Sequence, residues 1–207
     1  MSAEIFSRQR LEAFSDGVFA IVITLLVLEL HIPELAGARG GLHVARCSPE
    51  LWQGLIALLP KFISFIVSFV YISIYWINHH QLFHLLKGAN RGLFWLNCLF
   101  LMCLTFIPFP TALIGSYPGE STAVVFYGLA MFCTAVSFVV MKCYILSNGQ
   151  LMDKSESESS PAYLIIGPLF YVAAILLALI DVRLALAIYL LIPGIYIFAK
   201  IPTSPKA

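Results

Sequence analysis

The sequence predicts an all-α, polytopic membrane protein with six transmembrane helices. Three observations predict it. The 207 residues are 60% hydrophobic, with a mean hydropathy of +0.92. Charged residues make up only 11%, against about 25% in an average globular domain. The apolar residues also gather into runs near the length of about 20 residues that a helix needs to cross the hydrocarbon core.

The first segment is Leu11–His31, apolar from Val18 to Leu28 and entered by the polar stretch Arg10 to Gly17. The second is long, Leu51–Leu85, with Pro60 and Lys61 near its start and an apolar centre at Phe62–Ile77. The third, Leu93–Ile114, is interrupted by Pro108-Phe109-Pro110; proline removes a backbone donor and breaks the helical ladder. The fourth is Ala123–Leu146. The fifth, Ala162–Ile180, and the sixth, Leu184–Ala199, are joined only by Asp181-Val182-Arg183, which predicts a tight helical hairpin. Pro193-Gly194 is expected to kink the sixth. Two connections are long. Pro33–Glu50 is polar and Gly-rich, and Ser147–Pro161, containing Ser155 to Ser160, reads as a solvated, mobile linker. No internal repeat appears, so residues 1–207 form one six-helix unit.

Lysine and arginine placement sets orientation. With the N-terminus inside, the inner side holds Arg8, Arg10, Lys87, Arg91, Lys142, Lys154, Lys200 and Lys206, and the outer side Arg39, Arg46 and Arg183. Both termini are therefore expected in the cytoplasm. Pairing with a lipid bilayer is implied; nucleic acid is not, because a formal net charge of +1 provides no basic face. Five cysteines (Cys47, Cys98, Cys103, Cys133, Cys143) show no metal spacing or disulfide framework.

Enzyme motifs are lacking: there is no GxSxG, HExxH, phosphate loop or dinucleotide fingerprint. No catalytic residue or cofactor is predicted. His80 and His84 share one helix face, but no carboxylate or cysteine lies in that stretch to complete a metal site. Interfacial histidines bonding between helices are the simpler reading, and no metal is predicted. A carbonyl filter of the Thr-Val-Gly-Tyr-Gly kind is also missing. A pore, if present, is lined by helix side chains from several subunits.

At about 100° per residue, Gly17, Ile21, Thr24, Leu25 and Leu28 form one stripe of the first helix, with Arg10 and Phe14 below. Asp16, Ile23, Val27 and Leu30 form another. Periodicity cannot choose, because the helix is apolar all round. Simple packing of both faces remains open, with Thr24 bonding back to a carbonyl one turn earlier. Asp16 likewise has two readings. It is either a first-turn carboxylate on the helix dipole or an expensive membrane charge with a partner. Arg10 and Asp16 lie on different faces and are expected to reach other elements. Glu29 and His31 read as a solvated mouth at the far end.

The run Arg10-x-x-x-Phe14-Ser15-Asp16-Gly17-Val18-Phe19-Ala20-Ile21-x-x-Thr24-Leu25 resembles the signature of the transmembrane protein 175 family, potassium channels of lysosomes and endosomes with prokaryotic relatives. Tyr75-Trp76-x-Asn78-His79-His80, Asn97-x-x-x-Leu101 and Phe106-Ile107-Pro108-Phe109 agree with it, and the likeness spans all six helices. The animal proteins are similar to two such units fused. A single unit implies a prokaryotic homotetramer in the inner (plasma) membrane, with a central pore lined by the first helix and conducting potassium and other monovalent cations.

The resemblance further implies that Ile21, Leu25 and Leu28 constrict the pore and that Thr24 offers a hydroxyl layer to the ion. Arg10, Phe14, Ser15 and Asp16 become a packing hub expected to contact Asn78, His79 or His80. Two other readings stand beside it. One is a proton channel or proton-coupled transporter using Asp16 and the His79/His80 cluster; the lack of ionisable residues between Ala20 and Leu28 counts against it. The other is a membrane scaffold that conducts nothing.

Overall fold

A computed structural model of the chain describes residues 7–33, 49–152 and 161–198, the side chains at 161–165 and 195–198 excepted. The Ser155–Ser160 linker, most of the Pro33–Glu50 connection, Cys47, Arg39, Arg46, Lys154, Lys200 and Lys206 lie outside the described residues.

Among the described residues, the six predicted segments appear as eight helices: α1 (Arg8–Leu28), α2 (Pro49–Ala57), α3 (Leu59–His84), α4 (Arg91–Phe106), α5 (Pro108–Ser116), α6 (Ser121–Ser147), α7 (Pro161–Ala178) and α8 (Val182–Phe198). Prolines explain both extra breaks. Pro60 sits in the first turn of α3, where its missing N–H has no partner to lose. Upstream, the Leu58 N–H tightens onto the Leu55 carbonyl at 3.2 Å before the ladder resumes from Phe62 to Leu58 at 3.0 Å. Around Pro108 the same happens: Ile107 N–H bonds the Leu104 carbonyl at 3.1 Å, and Thr111 N–H resumes on Ile107 at 3.1 Å. The expected hairpin is present, with the Asp181 carboxylate accepting the Arg183 N–H at 2.8 Å to start α8. Helix α8 runs on through Pro193.

Among the described residues, four units are long and apolar enough to cross a membrane: Arg8–Leu28, Leu59–His84, Arg91–Ser116 and Ser121–Ser147. Ile166–Ala178 and Val182–Gly194 are shorter apolar helices. Helix α6 packs on α4, α5, α7 and α8; α3 packs on α1, α5 and α8; α1 lies against α3 and α4. The core between them holds Phe19, Val22, Leu26, Ile72, Phe100 and Met131, all essentially buried.

In lipid, apolar burial between helices gains little, because acyl chains are as apolar as leucine. Close packing and interhelical hydrogen bonds must hold the bundle instead. Gly128 supplies one close approach, since a Cβ there would run into the Tyr189 hydroxyl and Ile175. Two buried polar clusters supply bonds. In one, the Thr111 hydroxyl lies 2.7 Å from that of Ser68, which lies 3.1 Å from the Tyr127 hydroxyl, tying α5, α3 and α6. The other ties α1, α3 and α4.

Candidate functional site

Helix α1 begins at Arg8, capped by Ser7, whose hydroxyl accepts the Arg10 N–H at 3.3 Å. One narrow side of it is buried: Leu11, Ser15, Phe19, Val22 and Leu26. Their spacing of three and four residues is one helix face. The opposite side is uncovered. Gly17, Thr24 and Leu25 are exposed, with Ile21 at 58% and Leu28 at 67%. From Val27 round to Leu25 the exposed positions span an arc of about 160° at about 100° per residue. So the stripe carrying Gly17, Ile21, Thr24, Leu25 and Leu28 faces away from the protomer, while Ile23 of the other stripe is half-buried.

The Thr24 hydroxyl lies 2.8 Å from the Ile21 carbonyl and 3.1 Å from that of Ala20. Its proton is thereby held within α1, as in other intrahelical threonine bonds. The side chain is exposed on the uncovered side.

The buried side is fixed by a directional chain of hydrogen bonds. An asparagine amide has one accepting oxygen and one donating nitrogen. Asn97 Nδ2 donates to Ser15 Oγ at 2.9 Å, and Ser15 Oγ donates to the Leu11 carbonyl at 2.9 Å. That leaves Asn97 Oδ1 to accept from His79 Nε2 at 2.9 Å. Imidazole, amide and hydroxyl each find a partner, and the proton of His79 is assigned to Nε2. All three side chains are buried. The His79 ring stacks on Phe83 and Phe100 and meets Phe19 edge-on.

A second set of contacts runs along the α1–α3 edge. The Trp76 indole N–H donates to Asp16 Oδ1 at 2.9 Å. One turn on, His80 Nδ1 lies 3.3 Å from Glu12, which also lies 3.8 Å from Arg8. Trp76 and His80 stack on each other. Two i,i+4 pairs, Glu12/Asp16 and Trp76/His80, thus face each other across the helices as rungs of a ladder. Arg8 also donates to the Leu86 carbonyl at 3.0 Å.

The structure therefore brings Ser15 to His79 through Asn97, and Asp16 to Trp76. His80 meets α1 at Glu12, while Asn78 donates to Ile74 of its own helix. Arg10 and Phe14 are not drawn into either set. Phe14 is 52% exposed, and Arg10 is exposed on the uncovered arc. One reading is corrected. Asp16 is not a first-turn carboxylate, because α1 starts two turns earlier at Arg8 and has no acid in its first turn. The indole takes the place of the helix dipole as its partner. Asn97, Trp76 and Glu12 are the contributors that sequence reasoning left out of the hub. Asn97 carried a usable signal, being an amide in the middle of an apolar span.

Comparison with known proteins gives a consistent picture. Residues 10–108 match the family described as endosomal/lysosomal potassium channel TMEM175. A Streptomyces collinus protein named a potassium channel is 35% identical over 205 residues, covering 95% of each chain. The crystal structure of a lysosomal potassium-selective channel TMEM175 homolog from Chamaesiphon minutus matches with a TM-score of 0.80 and 32% identity, over 92% of this chain and 96% of that one. The human endosomal/lysosomal proton channel TMEM175 is 36% identical over 108 residues, which is 51% of this chain and 20% of the human one.

Proposed function

Because this chain belongs to the TMEM175 family, we propose that it is a potassium-permeable channel of a prokaryotic plasma membrane, a homotetramer with α1 lining a central pore and both termini in the cytoplasm. It is a membrane ion channel and not an enzyme. The observation that carries the pore reading is the uncovered α1 stripe, in which one hydroxyl, Thr24, stands among bulky aliphatics left open by the protomer.

Around a four-fold axis, Ile21, Leu25 and Leu28 form successive apolar rings. Apolar constrictions of this kind stop conduction by dewetting when narrow. Rotation or tilt of α1 widens them. Thr24, one turn past Ile21, presents oxygen lone pairs to an ion that has shed part of its water. Potassium, the larger ion, sheds that water more cheaply than sodium, and this favours it. The ladder of Glu12, Asp16, Trp76 and His80 and the Ser15–Asn97–His79 chain hold α1 against the bundle from the other side.

A proton channel is the second reading, and the name carried by the human relative favours it. Against it, α1 has no ionisable side chain from Gly17 to Leu28. The Ser15–Asn97–His79 chain also ends on the Leu11 carbonyl, which cannot pass a proton on.

Potassium-loaded liposomes carrying the purified protein separate the two. Flux that follows the potassium gradient, with protons only compensating, supports the channel. Flux that follows pH alone overturns it. Thr24→Val is expected to fold normally, since the hydroxyl bonds only within α1, and to change the potassium/sodium permeability ratio; an unchanged ratio removes Thr24 from ion selection. Ile21→Ala is expected to raise conductance or leak, and unaltered flux moves the constriction elsewhere.

A further inference from the structure

Arg8 and Arg10 stand two residues apart and are treated differently by the fold. Arg8 is half-buried, donates to the Leu86 carbonyl and lies beside Glu12. Arg10 is exposed, and among the described residues its side chain enters neither ion pair nor hydrogen bond. The nearby acids are engaged elsewhere, Glu12 with Arg8 and His80, and Asp16 with Trp76. Both lie about 120° to 160° round the helix from Arg10 at about 100° per residue. Arg10 itself is in line with Leu28 and within about 20° of Ile21.

Resting on the reading of α1 as the pore-lining helix, we infer that Arg10 forms a positive collar at the cytoplasmic mouth and sets the directional asymmetry of potassium flux. No charged residue lies between Asp16 and Glu29, and the first charge at the far end of α1 is the acidic Glu29. The uncovered arc thus carries Arg10 at one end and no charge from Gly17 to Leu28, while Glu29, about 100° round the helix from Arg10, lies on the half-buried side. Rings of like charge at a pore entrance raise or lower the local concentration of the permeant ion. A guanidinium collar depletes potassium on the cytoplasmic side. Inward current therefore exceeds outward current at equal driving force.

The test is single-channel recording in symmetric potassium at equal positive and negative voltages, for the wild type, Arg10→Gln, Arg10→Glu and Arg10→Lys. At about 0.1 M salt, where the screening length is about 10 Å, Arg10→Gln is expected to raise the outward/inward current ratio by at least about twofold. Arg10→Glu raises it further, and Arg10→Lys leaves it as in the wild type. At about 1 M, with screening over about 3 Å, the four ratios converge. An Arg10→Gln ratio equal to the wild type at low salt overturns the inference. So does a difference that survives high salt intact, which marks a packing role. If Arg10→Gln gives no folded protein, the wild type still decides, because its own asymmetry must shrink between the two salts. Ile21→Ala separates the levels. Conductance altered by Ile21→Ala but not by Arg10→Gln sinks the collar and keeps the pore; neither altering it sinks the pore reading.

Discussion

Asn97→Ala removes both interhelical bonds of the buried chain, Nδ2 to Ser15 Oγ and Oδ1 from His79 Nε2, each 2.9 Å long. Interhelical bonds in membrane proteins average about 0.6 kcal/mol and reach about 1.7. Two of them account for about 1–3 kcal/mol. The His79 N–H is then left buried among Phe19, Phe83 and Phe100 with no acceptor, which adds about 1–3 kcal/mol. A total near 3 kcal/mol is expected. Ser15→Ala loses one interhelical bond and should cost about 1 kcal/mol. The double variant should show a coupling of about 0.6–1.7 kcal/mol. Thr134→Ala is the control, because that hydroxyl is also buried but bonds only to Ala130 within α6. The assay is reversible unfolding of the purified protein by SDS titration in mixed micelles. The reasoning fails if the Ser15 and Asn97 effects add within about 0.3 kcal/mol. It fails equally if Asn97→Ala costs no more than the Thr134 control.

Two further substitutions probe other contacts with the same titration. Trp76→Phe keeps a ring to stack on His80 but removes the donor to Asp16, and should cost about 1 kcal/mol, less than a fully buried bond to a charge because the indole is partly exposed; an unchanged midpoint removes that rung. Gly128→Val drives a side chain into the Tyr189 hydroxyl and Ile175 and should cost about 1–3 kcal/mol, whereas wild-type stability means that α7 and α8 can move aside.

The apolar runs were legible because a span leaves a composition signal that no local detail can hide. The break at Pro108 was legible too, since the proline lies mid-run. The break at Leu58 was not, because the apolar run Leu55–Leu59 continues through it and Pro60 falls where a new helix tolerates it. Which face of α1 is open could not be read from periodicity. In a bilayer the buried face and the open face are both apolar, and Val22 and Ile21 look alike in sequence though one is buried and the other exposed. The resemblance supplied that choice. The partners of Ser15 and Asp16 were only half legible. Spacing places Trp76 and His80 on one face, but which helix faces them is a tertiary fact. The histidine directly adjacent to His80 turns the other way, into the core.

The intrahelical bond of Thr24 bears on how such a protein is made. In the tetramer proposed above, a newly inserted chain rests in lipid with its open α1 face bare before a partner arrives. A hydroxyl with its proton unclaimed would be poorly solvated there and would recruit whatever acceptor drifted past. With that proton already given to Ile21 or Ala20, the face is nearly inert to acyl chains. On that proposal, insertion and association are separable events, the second waiting on the arrival of like chains rather than competing with strays.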